Sequence, residues 1–392
     1  MTDMNYNDLT YWISVAHLKG WNVERINRMA VAVLHENEMK WADFFELESA
    51  GWSELFAFTE KELVDLESAK KVLPHASFTA EKLQNAGIDI IPVDRSDYPV
   101  VLKENLKLKS PPVLYIKGRK SLLDEEAVAI VGSRKAGSAA LEFTDFIAKK
   151  SVKEEKVVVS GFAKGVDKQA LDSTLSVYGK SIIVLPQGIL TFQTGFRQYY
   201  EHIVSGNVLV LSTFQPNAGW DVGLAMARNA YIYGLAKEIY VAESDDKGGT
   251  WNGALGGLKM KRKVYVRMPE PKEKNANLKL IEMGAVGVDK EGNPVEKVQK
   301  KVKQEYLFDQ LSETAVGDSV AEYNKEMTSE EKILELLGKG SYTAKEIITE
   351  LKIDWSSNKI AAFLKKNPEV RIEKGKANRY TMQENETPTL FV

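Results

Sequence analysis

The stretch from Ala127 to Ala170 constrains most strongly what this chain can fold into. It begins with the apolar run Ala127 to Val131, followed by a glycine-containing turn and an amphipathic run from Leu141 to Ser151. A second apolar run then ends at Ser160 and leads into another glycine-containing turn and another helical run. Strand, turn, helix, strand, turn and helix in this order predict the beginning of a parallel α/β sheet.

Each of these two turns carries a cation where a helix is expected to start. The candidate phosphate-binding residues are Gly132, Ser133, Arg134 and Lys135 in the first turn and Ser160, Gly161, Phe162 and Lys164 in the second. Backbone N–H groups at a helix N-terminus bind anions, and Ser160 can add its hydroxyl as a donor. Asp167 is expected to cap the helix that follows.

The first turn lacks parts of two known nucleotide-binding motifs, which indicates what kind of anion it could bind. Gly132 and Gly137 have the spacing of a P-loop, but Ser138 stands where that motif requires Lys, and the Gly-x-Gly-x-x-Gly pattern is absent. A polymer phosphate held by N–H groups and Arg134 suits the turn better. The alternative that the glycines serve only the turn, with a solvated Arg134, stays open.

Further strands extend the predicted sheet. Short β-branched runs without polar alternation occur at Ser181–Leu185, Val208–Ser212, Glu238–Val241 and Lys263–Val266. They predict a Rossmann-like α/β fold with a mostly parallel sheet that is covered on both faces. Turns that follow parallel strands gather at the carboxyl edge of the sheet, the usual ligand edge.

Two more groups are predicted to join this edge. Arg228 is expected to grip a phosphate, and Asn229 to bind a sugar or base or else to hold a loop. Gly248, Gly249 and Thr250 are expected to add N–H donors. The neighbouring Trp251 is either a stacking platform or a buried core residue, and burial is favoured.

Composition excludes several classes of site. The chain has 392 residues, no Cys, four His and a formal net charge of -2. Disulfides, thiolate metal sites and Cys nucleophiles are excluded, and we expect no metal, cofactor or catalytic group. No apolar run reaches the roughly 18 residues of a membrane span, and the polar start predicts no secretory leader, which favours a cytoplasmic protein.

The domain organisation is predicted from changes in pattern along the chain. We expect a small helical domain over 1–86, a Rossmann-like domain over 87–290, a linker over 291–327, a winged helix over 328–383 and a disordered tail over 384–392. The C-terminal unit has capping boxes at Thr328 and Thr343, three helical runs and a hairpin pattern. Its candidate DNA contacts are Lys359, Lys365, Lys366, Arg371, Lys374, Lys376 and Arg379.

Between roughly 88 and 290 the motifs resemble, in order, those of the DprA/Smf family of DNA-processing proteins. They comprise Pro111–Gly118, Val131-Gly132-Ser133-Arg134, Ser160–Asp167, Val184–Ile189, Arg228-Asn229, Gly248–Trp251 and Asn277–Ala285. The chain departs from the pattern after Asp167, where Leu171 or a neighbouring residue stands in place of the family's His, and at Ala230, where the family has Arg. Residues 187–200 also lack the family's Tyr-Pro-x-x-Asn signature, so the chain resembles a divergent member.

The resemblance implies a non-enzymatic protein that binds single-stranded DNA in a basic pocket at the sheet edge and forms a homodimer. It also implies loading of a RecA-type recombinase. A partner in a phage-defence or toxin–antitoxin operon is a variant of this hypothesis. Separately, the basic third helix and wing of the C-terminal unit predict contact with duplex DNA. The alternative, a protein-interaction module with a solvated basic face, stays open. Two alternatives stay open: a phosphoribohydrolase-like enzyme acting on nucleotides, and a winged-helix regulator whose core senses a nucleotide.

Overall fold

The fold divides into two compact units along the chain. The computed structural model describes residues 6–295, 329–337, 340–351, 353, 355–365, 370–373 and 378–382. The first unit contains the described residues up to 295, and the second contains those from 329 onward. Most of the predicted linker and all of the predicted tail lie outside the described residues.

Six helices form the N-terminal region, as the sequence predicts. They are α1 (Tyr6–Ala16), α2 (Val23–Val31, extended by a π-helical turn, Ala32–Glu36), α3 (Trp41–Glu46), α4 (Ser49–Leu55), α5 (Glu60–Lys71) and α6 (Leu73–Asn85). Asn22 caps α2 by accepting from the Arg25 N–H, and Thr59 and Glu62 form a capping box at α5. The buried residues of these helices belong to the same hydrophobic cluster as those of the sheet, and a domain boundary at residue 86 stays a prediction.

A nine-stranded sheet forms the centre of the first unit. Its strands are β1 (Asp89–Pro92), β2 (Val113–Lys117), β3 (Ala127–Val131), β4 (Val157–Ser160), β5 (Ser181–Val184), β6 (Val208–Ser212), β7 (Glu238–Val241), β8 (Lys263–Arg267) and β9 (Val286–Val288). The accompanying helices are α7 (Val100–Leu106), α8 (Ser138–Lys153), α9 (Val166–Ser176), α10 (Gln193–Gln198), α11 (Tyr200–Val204), α12 (Val222–Leu235), α13 (Gly249–Lys259) and α14 (Asn277–Glu282). The predicted α/β class is confirmed.

The strand order places a crevice beside the first turn. The order is β1-β2-β6-β5-β4-β3-β7-β8-β9. Strands β3 to β9 are parallel to one another, β2 is antiparallel to β6, and β1 is antiparallel to β2. The chain adds strands to one side of β3 as far as β6 and then to the other side from β7. The pair β3 and β7 is therefore the topological switch point, where open α/β sheets bind ligands at the carboxyl edge.

The second unit contains three helices and a small antiparallel sheet. Its elements are α15 (Ser329–Leu337), α16 (Ala344–Leu351), α17 (Ser357–Lys365), β10 (Tyr342–Thr343), β11 (Val370–Glu373) and β12 (Arg379–Met382), with the strand order β10-β12-β11. The predicted capping box at Thr343 is present, because its N–H donates to Glu346 Oε2 at 2.7 Å and its Oγ1 accepts from the Glu346 N–H at 3.3 Å. The three predicted helices and the hairpin are confirmed, β10 was not predicted, and a winged-helix identity stays a prediction.

Candidate functional site

The turns after β3 and β4 lock together at the carboxyl edge. The Val166 N–H donates to the Ser133 carbonyl at 3.3 Å. Gly165 has φ +78°, and a Cβ at this position would overlap the Ser133 carbonyl, so glycine is required both for the conformation and for the close approach. Two turns whose contacting residues, Ser133 and Val166, lie 33 positions apart in the sequence therefore form one continuous surface.

Three exposed cations lie on this surface. Arg134 and Lys135 follow the Ser133 backbone that contacts Gly165, and Lys164 directly precedes that glycine. We call Arg134, Lys135 and Lys164 the edge cations. All three are exposed, so they are available to a ligand that approaches this edge from solvent.

Glu243 lies at the crevice between β3 and β7 and forms two hydrogen bonds with the first turn. Its carbonyl accepts from the Ser133 N–H at 2.8 Å, and its Oε2 accepts from the Gly137 N–H at 3.2 Å. Gly137 is the N-cap residue of α8, so a carboxylate of the protein itself compensates the positive end of that helix. A phosphate in the crevice would meet this negative charge, so the crevice itself is a poor anion site.

Arg228 does not reach this surface, which corrects the expectation that it grips a phosphate. It is 4% exposed and donates Nη1 to the Val184 carbonyl at 3.0 Å. A Cβ on Gly161 would overlap its guanidinium, so Gly161 is needed to accommodate Arg228 and not to let a ligand approach. The sequence shows an Arg on a helix but not which side of the turn the guanidinium lies on.

Two other residues of the second turn also have internal roles. The Ser160 hydroxyl is buried and donates to the Ile130 carbonyl at 2.8 Å, so the expected donation to a ligand is wrong. Asp167 is the second residue of α9 and not its cap, because Gly165 occupies the N-cap position. Burial raises the pKa of Asp167, and the positive charge of Arg228 partly offsets this increase.

Asn229 holds the loop that follows β7. Its Nδ2 donates to the Gly249 carbonyl at 3.0 Å, the loop-holding alternative of the sequence analysis. Gly248 has φ +90° and is the N-cap residue of α13, so the first N–H groups of that helix, including those of Gly249 and Thr250, begin at the carboxyl edge. Trp251 is 8% exposed, which confirms the favoured interpretation of it as a core residue.

Phe162 belongs to an aromatic cluster and has a strained backbone. Its φ is +62°, which is rare for a bulky residue. Its half-buried ring meets Phe192 and Tyr199 edge to face, with ring centroids 5.0 and 5.7 Å away. These contacts fix the conformation of the turn between Gly161 and Lys164.

Trp220, in the loop between β6 and α12, was not among the predicted site residues. Trp220 is 51% exposed, and the guanidinium carbon of Arg134 lies 5.7 Å from the centroid of its ring. A sequence signal existed, because Trp220 lies between Gly219 and Asp221 in a run of turn-forming residues, where an aromatic ring is not expected to be buried. Trp220 therefore extends the surface of the edge cations with an aromatic ring.

The predicted basic residues of the second unit are only partly described. Lys365 and Arg371 are exposed, and the Lys359 ammonium lies 3.9 Å from the centroid of the Trp355 ring. Arg379 forms an ion pair with Glu346 at 3.4 Å. The remaining predicted contacts, Lys366, Lys374 and Lys376, lie outside the described residues.

Two kinds of feature are absent from the described residues. No helix in the described ranges is long and apolar enough to cross a membrane. No group of three or more His, Asp or Glu side chains in those same ranges is arranged to hold a metal ion.

Comparisons with known proteins agree with this architecture. The sequence model of a family described as DNA recombination-mediator protein A matches residues 89–299. Protein Smf of Synechocystis is 29% identical over 296 residues, which cover 72% of this chain and 70% of that protein. The DNA processing protein DprA of Bacillus subtilis is 27% identical over 207 residues, covering 52% of this chain and 68% of that protein.

A solved structure shares the fold. The X-ray structure of DNA processing protein A from Streptococcus pneumoniae aligns with a TM-score of 0.55 at 23% identity, covering 72% of this chain and 94% of that one. The family match spans more than half of the chain, and it includes β3, β4 and the two locked turns. The chain therefore belongs to the DNA recombination-mediator protein A family, the DprA/Smf proteins.

Proposed function

We propose that this protein binds single-stranded DNA along the carboxyl edge of its sheet and acts in DNA processing or recombination. The observation that carries the proposal is the lock between Gly165 and Ser133, which brings three exposed cations together. Membership of a family described as DNA recombination mediators, with relatives named DNA processing proteins, supports a DNA ligand.

The charges of the site favour a strand backbone over a single nucleotide. Glu243 already compensates the N-terminus of α8, the position where a mononucleotide phosphate would bind in the crevice. The edge cations are exposed and spread over two turns, which suits successive phosphates of a polymer. Single strands also leave their bases open to aromatic rings such as that of Trp220.

The proposal extends to partners and to the second unit. We propose no chemical step, because the buried charged groups Asp167 and Arg228 face each other beneath the turn, away from the exposed surface. Assistance to a RecA-type recombinase, a role in phage defence or beside an operon-encoded toxin, homodimer formation and a cytoplasmic location stay parts of the hypothesis. Duplex contact through Lys365 and Arg371 also belongs to it.

A pair of double variants tests the edge. Arg134→Ala with Lys164→Ala removes two charges from the proposed surface, and Lys237→Ala with Lys263→Ala removes two from the opposite edge, where β7 and β8 begin. Each phosphate contact on a single strand contributes about 0.7 to the slope of log K against log salt. The first variant is expected to bind oligo-dT with a slope shallower by about 1.4 and roughly 25-fold more weakly at about 0.1 M salt.

The control and the duplex comparison make the outcome decisive. The Lys237 and Lys263 variant is expected to keep the affinity and salt slope of the wild type in a fluorescence-anisotropy titration. The wild type is expected to prefer oligo-dT to a duplex of the same length. Equal binding by the edge variant and the wild type would refute the proposed site.

A further inference from the structure

The loop that carries Trp220 is held in place from both ends. Before Trp220, the Ala218 carbonyl accepts from the Gly188 N–H at 2.8 Å, and the Pro216 carbonyl accepts from the Leu190 N–H at 3.0 Å. After it, Asp221 caps α12 by accepting from the Gly223 N–H at 2.7 Å. The loop therefore fixes the ring without burying it.

The exposure of Trp220 is exceptional in this chain. All seven Trp residues lie in the described ranges, and Trp220 is the one that is classed as exposed, at 51%. Tryptophan is usually largely buried, since its ring removes a large apolar area from water. An exposed indole beside a cation suits a partner that offers both a flat apolar face and a negative charge.

We propose that Trp220 stacks on a nucleobase while Arg134, beside the same ring, contacts the adjacent phosphate. This inference rests on the proposed function and names the part of the ligand that the loop recognises. The 5.7 Å distance between the Arg134 guanidinium carbon and the Trp220 centroid leaves part of the ring open, as the exposure shows. Stacking on a base requires an unpaired strand, so Trp220 selects single strands over duplexes.

Stacking and phosphate contact differ in their salt dependence, which gives the test. Trp220→Ala removes no charge and is expected to weaken oligo-dT binding by roughly 5- to 150-fold with an unchanged salt slope. Trp220→Phe keeps a ring and is expected to retain most of the affinity. Tyr178→Ala, which removes an 87% exposed ring after the C-terminus of α9, at the other edge, is expected to bind as the wild type does.

An abasic oligomer of equal length separates the base from the backbone. Trp220→Ala and the wild type are expected to bind the abasic strand equally, because there is no base to stack. If the Arg134 and Lys164 variant weakens oligo-dT binding but Trp220→Ala does not, the stacking inference fails and the proposed function stands. If neither variant weakens binding, the proposed function fails as well.

Discussion

Replacing Arg228 tests whether this residue supports the second turn from below. Arg228→Met keeps much of the aliphatic side chain but removes the guanidinium that lies under Gly161 and donates to the Val184 carbonyl at 3.0 Å. A charged hydrogen bond is lost, and Asp167 remains buried without the neighbouring positive charge. We expect the free energy of unfolding to fall by about 3 kcal/mol.

The size of this loss is expected to depend on pH. Burial raises the pKa of Asp167, and loss of the Arg228 charge would raise it further. A carboxyl group whose pKa is raised on folding favours the folded state at low pH, and that advantage is lost as the pH rises through the folded-state pKa. Arg228→Met is therefore more destabilising at neutral pH than in mild acid.

Urea unfolding followed by tryptophan fluorescence measures both effects. Adding Asp167→Asn to Arg228→Met is expected to restore part of the stability and to remove most of the extra loss at neutral pH. The folded Arg228→Met protein is expected to keep the wild-type salt slope for oligo-dT, because Arg228 is buried. A variant of full stability with a shallower salt slope would show that Arg228 contacts phosphate and would refute this reasoning.

Three further predictions concern single positions. Glu243→Gln removes the carboxylate at the N-terminus of α8, so anisotropy titrations should show oligo-dT affinity rising about two- to fivefold while stability falls by about 0.3–1 kcal/mol. Burial lowers the pKa of His17 to about 4, so the folded state loses stability as the pH falls from 6.5 toward 4. Urea unfolding should show the free energy of unfolding falling by about 2 kcal/mol between pH 7 and 5, and His17→Leu should abolish this fall. Thermal melts should show a larger fall in melting temperature for Gly165→Ala than for Gly248→Ala. Both glycines have positive φ, but of the two only Gly165 has a neighbouring backbone within 4 Å. Equal falls in melting temperature would contradict the contact between the two turns.

The sheet was largely predictable from the sequence because its signal is local. Ser181–Val184 and Val208–Ser212 are buried at every residue and apolar except at Ser181 and Ser212. Such runs are recognised without long-range information. β9 was missed, since Val286–Val288 has three residues with a glycine in the middle and carries too little pattern.

The candidate site was less predictable because its contacts are not local. Arg228 is buried because its guanidinium packs against Gly161, a residue 67 positions earlier in the chain. No sequence periodicity links these two residues, so the burial of Arg228 could not be predicted. The same applies to Glu243, whose carboxylate caps a helix that begins more than 100 residues earlier. Motif spacing identified two turns that the structure brings into contact, but it could not separate their exposed side chains from their buried ones.

Hydrogen exchange with and without oligo-dT locates the DNA-binding surface on the fold. We expect DNA to slow exchange in the loops 132–137, 161–165 and 213–221, and to leave it unchanged in the N-terminal helices and at the opposite edge of the sheet. Protection confined to residues 329–382, or to the amino edge where β7 and β8 begin, would contradict a DNA site formed by the edge cations.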